Sequence, residues 1–360
     1  MKKTVKRIDF RVKLAGKGVV NFDSVEQKFV INSQKSEKQL RHHLSYYDNN
    51  ISYAKKNFYE KEDGTLDYKL KLSEAFLANA LFREDCVAQH SNLIILHEHL
   101  LYPFITSPMS LLRGYMLTNK NNVSLSRKSA FSFPGAEQTN DAISYIETFS
   151  RSGQKEMGEK TDNTFFKKET VGEIEYAGEG SINVGELQFV SCSQQYDRYS
   201  FNPDRFDFYA QCLSKRMPNF KSKLGYYQLK TSCIAMPEYG FMFSNENVVF
   251  LVKEFLKRLY KFQILKRGGD VRLSHLEIKL VTDVVEDIEN REDGWKTLKS
   301  FKDIENLDFE TEEFYTLQKD SDVKKLMDEL EEAKRQTKER NDNIKKNAAD
   351  KKANKKEKAK

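Results

Sequence analysis

His90, His97, Glu98 and His99 lie close together in the chain, and three imidazoles beside a carboxylate form a donor set that zinc would accept. The spacing argues against it. A helical HExxH places two imidazoles on one face with the glutamate between them, whereas position 101 is Leu. These histidines therefore read as partly buried or hydrogen-bonded side chains, and neither a metal nor a cofactor is expected. His42-His43 follows Arg41 and reads as a surface or phosphate-adjacent pair. Gly16-Lys17-Gly18 lacks the GxxxxGK[ST] frame of a phosphate loop, and Gly268-Gly269-Asp270 is followed by Val271 rather than a second metal-binding Asp. Cys86, Cys192, Cys212 and Cys233 show no CxxC spacing, so reduced thiols are expected rather than a disulfide framework. No nucleophile signature is present. The residue types for catalysis do not assemble, and no enzyme is expected.

The residues for holding a polyanion are better represented. In Ser107-Pro108-Met109-Ser110-Leu111-Leu112-Arg113-Gly114, Ser107 reads as a helix N-cap and Pro108 as the first turn. Ser107, Ser110 and Arg113 fall on roughly one side, where hydroxyls, unpaired N–H groups and a guanidinium could grip a phosphate. Phe165-Phe166-Lys167-Lys168 interleaves rings that stack on bases with cations that neutralise phosphates. Arg11 and Lys13 stand on the polar face of an alternating segment, and Lys266-Arg267 opens a basic glycine turn.

The elements that must carry these groups are legible in part. Ile8, Phe10, Val12 and Leu14 alternate with Arg7, Asp9, Arg11 and Lys13, which predicts a half-buried strand with a mostly basic open face. Residues 24–70 read as irregular and partly looped. Helical spacing covers 72–87. Residues 119–163, rich in Asn, Ser, Lys and Gly, read as a long surface insertion. Strands are expected at 164–168, 173–176 and 186–190, punctuated by glycines, as hairpins. Asn245 is expected to cap a long helix whose buried stripe is Val248, Leu251, Val252, Phe255, Leu259 and Phe262. A last strand follows at 276–280. The fold class expected is α+β with an antiparallel sheet, in the manner of a split βαβ.

The chain has 360 residues, 39% of them hydrophobic, which is ample for a core. No apolar run of membrane-spanning length is present and the N-terminus lacks the apolar stretch of a secretory signal, so a cytoplasmic protein without a membrane partner is expected. The net charge is +6. It is unevenly placed: residues 1–17 carry a net +6, residues 283–313 a net −8 and residues 341–360 a net +5. Any anion-binding surface on the body must therefore be a local patch. The last twenty residues are Lys/Asn/Ala low complexity and read as a disordered tail.

Several stretches together resemble one family. These are Ile8-Asp9-Phe10-Arg11-Val12-Lys13 with Gly18-Val19-Val20-Asn21-Phe22; Leu81-Phe82-Arg83-Glu84; Leu111-Leu112-Arg113-Gly114-Tyr115; the run from Thr164 to Tyr176; and Gly180-Ser181-Ile182 leading to Leu187-Gln188-Phe189-Val190-Ser191. Spread over roughly residues 5–280, they resemble the crRNA-binding backbone subunit of CRISPR effector complexes, the family-seven RAMP proteins, in the form of the minimal type I-F variant. The resemblance implies an RRM-like (ferredoxin-like) palm over 1–282, the insertion at about 119–163 and a thumb hairpin at about 164–190. It implies copies polymerised head to tail along a guide RNA, a complementary DNA target, and other subunits of the complex. Arg113, and with it Ser107 and Ser110, would hold backbone phosphate, and the thumb wedge would lie near Phe165–Lys168. The form it resembles is not a nuclease. The acidic segment 283–319, a charged helix at 320–340 and the tail at 341–360 have no counterpart in the resemblance. The enzymatic rival is a RAMP-type endoribonuclease with His42, His43 or His99 as general base.

Overall fold

A computed structural model of the chain describes residues 4–22, 27–33, 36–42, 51–82, 98–118, 124–153, 162–193, 198–231, 236–266, 268–283, 287 and 291–357. In chain order, the elements that position the site are strands β1 (Arg7–Lys17), β2 (Lys56–Glu60) and β3 (Leu66–Ser73), and helices α1 (Glu74–Leu81) and α2 (Pro108–Arg113). Strands β4 (Gly135–Gln138), β5 (Ser144–Gly153), β6 (Asp162–Val171) and β7 (Glu173–Asn183) follow, then helix α3 (Asn245–Tyr260), strands β8 (Gln263–Lys266) and β9 (Gly269–Val281), and helix α4 (Asp320–Glu357).

The alternation around Phe10 does what it predicts. Ile8, Phe10, Val12 and Leu14 are buried, while Arg7, Asp9, Arg11 and Lys13 face the other way. A strand buried on one face can take two neighbours, and β1 pairs along its whole length with both β7 and β9. The sheet runs β8-β9-β1-β7-β4-β3-β2, every described pair antiparallel, so the fold is α+β with an antiparallel sheet. Helix α3 lies on its apolar face through the expected stripe, with the Phe255 ring 5.4 Å from that of Phe10. Phe10 also crosses its neighbour strand closely: a Cβ on Gly180 would stand 2.2 Å from the Phe10 ring, so only glycine fits there. The cap of α3 is Ser244, whose hydroxyl accepts from Asn247 N–H, rather than Asn245. Asn245 instead accepts the Thr311 N–H at 2.7 Å and ties the acidic segment to the helix start.

Four other expectations are corrected. Residues 24–70 hold five strands, including the pairs 27–33 with 36–42 and β2 with β3. Their alternation is diluted by Lys, Glu and Asn because most of their side chains face water. Within 119–163, Phe131, Phe133 and Ala136 are core residues and β4 is a strand of the sheet, so the stretch is not wholly a surface insertion. The hairpin is built from β5 and β6, in ten consecutive pairs from Ser144↔Val171 to Gly153↔Asp162, not from 164–190. Gly172 marks the junction where the chain passes from hairpin to sheet. Residues 184–188, expected as strand, form one helical turn capped by Asn183.

The acidic segment is folded onto the body. Lys296–Thr297 pairs with β9, Glu310–Thr311 pairs with Thr4–Val5, and Leu298, Ile304, Leu307 and Phe309 are buried. Helix α4 begins where the charged helix is expected but continues to Glu357, through the stretch that low complexity predicts to be disordered. Its Lys, Ala and Glu are good helix formers and neither Gly nor Pro interrupts 320–357.

The hairpin is held at its root by a buried ion pair. Glu169 is only 4% exposed and receives the Lys56 ammonium at 2.6 Å, the Ala54 N–H at 2.8 Å and the Ser144 hydroxyl. The ammonium also lies 4.2 Å above the Tyr68 ring. Removing one partner of such a pair leaves an uncompensated buried charge, at a cost of about 3–5 kcal/mol. Glu169→Ala is therefore expected to lower the urea midpoint by that equivalent, and Lys56→Met with Glu169→Leu to recover most of it. An unchanged midpoint in the single variant would refute the anchoring role.

Candidate nucleic-acid interface

The Leu111-Leu112-Arg113-Gly114 turn is locked from two sides. Ser107 caps α2 by accepting the Ser110 N–H at 3.2 Å and donates its own hydroxyl to Ser110 Oγ at 3.1 Å. Ser110 is fully buried, so its hydroxyl belongs to the cap and not to a surface. The expected grip on phosphate by this helix start is therefore corrected: one of its amides is used internally and the helix is only six residues long. Gly114 ends the helix at φ +76°, and a Cβ there would stand 2.3 Å from the Arg127 carbonyl oxygen. The Arg127 guanidinium is itself buried. It donates to the carbonyls of Leu111 at 3.1 Å, Phe189 at 3.0 Å, and Glu186 and Leu187 at 3.2 Å each. A planar five-donor head suits this task, where an ammonium would leave carbonyls unpaired. Arg113, half-buried, is carried on this rigid turn. Nothing in the sequence singles out Arg127, because its partners are backbone atoms from distant segments.

Two of the expected cations meet at one ring. Lys168, at the hairpin root, and Lys266, at the end of β8, each place their ammonium 5.5 Å from the centre of Phe22. Lys266 also lies 4.4 Å from Phe76 and donates to the Val20 carbonyl at 2.9 Å. Phe22 is 36% exposed, so an aromatic face flanked by cations opens to solvent. Such a face accepts a stacked base while the ammoniums draw the phosphates. Phe22 is absent from the expected site residues; its signal was only its place at the end of the Gly18–Phe22 stretch. Lys167 is exposed on the neighbouring position of β6. Phe165 and Phe166 lie on the same strand opposite Ser150 and Phe149. Their side chains, like the whole of Arg267, lie outside the described residues.

The open face of β1 differs from its sequence expectation. Lys13 is exposed, but Arg11 is engaged by Glu179 and Glu292 and lies 4.1 Å from the centre of the Trp295 ring. The hydrogen bond from Glu292, with that from Glu179, holds the Arg11 guanidinium firmly in its charged form.

Of the histidines, His99 is exposed, His42 lies on the 36–42 strand, and His43, His90 and His97 fall outside the described residues. Burial pushes the Cys192 thiol up to about 12, so it is protonated at neutral pH and a poor nucleophile. Among the described residues no group of three His, Cys, Asp or Glu stands close enough to hold a metal ion, and no helix is long and apolar enough to cross a membrane.

A family model described as type I-Fv CRISPR-associated protein Cas7fv-like matches residues 4–288. The chain belongs to this Cas7fv-like family. The matched span holds β1 through β9, the Arg113 turn, the hairpin and Phe22, whereas Glu292, Trp295 and α4 lie beyond it. No curated protein matches the chain. Among solved structures, a chain of a "CRISPR RNA-guided surveillance complex" is similar at 10% identity, covering 76% of this chain and 68% of that one, with a TM-score of 0.32. A chain of a "CRISPR RNA-guided surveillance complex, pre-nicking" is similar at 8% identity, covering 76% and 75%, with a TM-score of 0.34.

The turn geometry makes a specific demand on this Cas7fv-like chain. Gly114→Ala would force a side chain into a left-handed conformation against the Arg127 backbone. The expected cost is roughly 1–3 kcal/mol, read as a lower unfolding midpoint. A midpoint equal to that of the parent would show that the turn relaxes freely.

Proposed function

We propose that the chain is a non-catalytic crRNA-binding backbone subunit of a type I-F variant CRISPR surveillance complex. Several copies line one guide RNA and present it to complementary DNA in antiviral defence. Its membership in the Cas7fv-like family, together with the meeting of Lys168 and Lys266 at the exposed Phe22 ring, carries this reading. The order β9-β1-β7-β4, with α1 between β1 and β4 and α3 between β7 and β9, is the arrangement of a split βαβ. It supports an RRM-like palm. The hairpin β5–β6 is the thumb in this reading, rooted beside Phe22 through Lys168.

The chemistry needed is independent of sequence. Cations neutralise backbone phosphate, rings stack on bases, and base pairing between guide and target reads the sequence. Arg113 on its locked turn supplies one phosphate contact, and Lys168 and Lys266 supply two more around Phe22. No bond is broken by this protein, so it needs positioned charge rather than an acid–base pair.

The test is fluorescence anisotropy of labelled single-stranded RNA over a salt series. Each phosphate contact removed should lower the slope of log affinity against log salt by about 0.7. Arg113→Ala is expected to lose one such step, and Lys168→Ala with Lys266→Ala two. Phe22→Ala should weaken binding by about 1–3 kcal/mol with the slope kept, because a stacked base is not a charge contact. Affinity and slope unchanged in all three variants would remove this interface. Cleavage of the RNA during the assay, abolished by replacing His42, His43 or His99, would replace the proposal with the endoribonuclease.

A further inference from the structure

On the open face of β1 and β7 the chain binds itself. Glu292 approaches Arg11 with both carboxylate oxygens, at 2.7 and 2.9 Å, and Trp295 covers the flat side of the same guanidinium. Asp287 bridges Arg7 and Lys279, at 2.6 Å to each. Arg291 reaches Glu179 at 3.3 Å. Beside these groups is a cleft of about 440 Å³ lined by Arg7, Glu179, Gly180, Ser181, Arg291 and Trp295. Gly180 brings no side chain to that wall.

The occupants have a recognisable chemistry. A two-oxygen anion on the edge of a guanidinium is how arginine takes a phosphate, and an aromatic ring on its flat side is how it takes a base. Glu292 and Trp295 together present to Arg11 what a nucleotide presents. The attachment is of a displaceable kind. The segment is fixed at both ends on β9, by Val281 opposite Arg7 and by Lys296 opposite Ile278. Between those ends no apolar side chain of the described residues is buried in the core. What holds Glu292, 75% exposed, against Arg11 is an ion pair and a stacked ring, and exposed pairs are weak and screened by salt. The next buried anchor, Leu298, lies after the second fixed end. With the turn Arg291–Trp295 and Asp287 moved aside, Arg7, Arg11, Lys13 and Lys279 on this face would outnumber Asp9 and Glu179.

We propose that the face around Arg7, Arg11 and Lys279 is a binding site for a nucleotide of single-stranded RNA, which Asp287, Glu292 and Trp295 fill in the free chain and which RNA must empty. The site lies apart from the Phe22 cluster and rests on the reading of the chain as an RNA-binding protein. Its occupants lie at or beyond the end of the family match, so the cover is built from this chain's own C-terminal extension.

Trp295 is the chain's one tryptophan, so its emission reports on the turn alone. Adding a single-stranded uridine oligomer to the full chain should shift that emission to the red and raise its quenching by acrylamide. Glu292→Gln should bind the oligomer more tightly, by roughly two- to fivefold, the equivalent of one exposed ion pair removed. Glu331→Gln on α4, which removes the same charge outside this cluster, should bind like the parent. Oligomer binding with unchanged Trp295 quenching, and Glu292→Gln and Glu331→Gln both equal to the parent, would overturn the self-occupied site and leave the RNA-binding reading standing. No binding by the parent or any variant would overturn both.

Discussion

The ring of Phe10 lies between Gly180 on the neighbouring strand and Phe255 on the long helix, with Phe131 and Phe133 closing around it at centroid distances of 6.1 and 5.4 Å. Segments separated by most of the chain converge on this one side chain. Its burial fixes which face of β1 looks inward, and a strand with one inward face must turn its charged positions outward. The charged face, the approach of β7 and the seat of α3 all follow from that choice. The edge strands, the hairpin and the acidic segment are then added to a frame that already has an inside.

Charge is distributed on this frame by opposition rather than by excess. A chain only modestly basic overall concentrates cations at the hairpin root and on the face of β1, and answers the second group with its own carboxylates. The two surfaces differ in what they offer an anion. At Phe22 the cations flank an exposed ring and are bound to carbonyl oxygen and π-systems, which leaves their charge uncancelled. At Arg11 the charge is cancelled within the molecule. A polyanion therefore meets an open surface at the first and a competitor at the second.

Much of the frame could be read directly from residue order. The alternation of β1, the stripe of α3, the start of α2 at Ser107-Pro108 and the strand around Leu276–Leu280 are periodic signals that tertiary contacts reinforce. Residues 131–138 escaped because Ser, Pro and Gly around Phe131 and Phe133 have the composition of a loop, and only the docking of those rings beside Phe10 makes them core. The strand partner of Phe165–Lys168 was misplaced for a related reason. Local sequence shows that a strand exists, but whether it pairs with the segment before or after is decided by the whole sheet. Of the candidate site, Arg113, Lys168 and Lys266 were visible as residue types. Phe22 and Arg127 were not, since their roles consist of neighbours brought from elsewhere in the chain. Ser110 was visible and misleading, because a serine one turn into a helix looks the same whether it faces water or the core.

The Lys56–Glu169 pair has a consequence for how the hairpin finds its alignment. Long two-stranded ladders of mixed polar residues can slide, since one offset satisfies the backbone about as well as the next. Sliding β6 by one position would turn Glu169 to the opposite side and abandon the Lys56 ammonium without a counter-ion in an apolar setting. The buried charge thus acts as a selector among alternative alignments, penalising every offset but one. Lys168, one position away, is brought to Phe22 by the same selection.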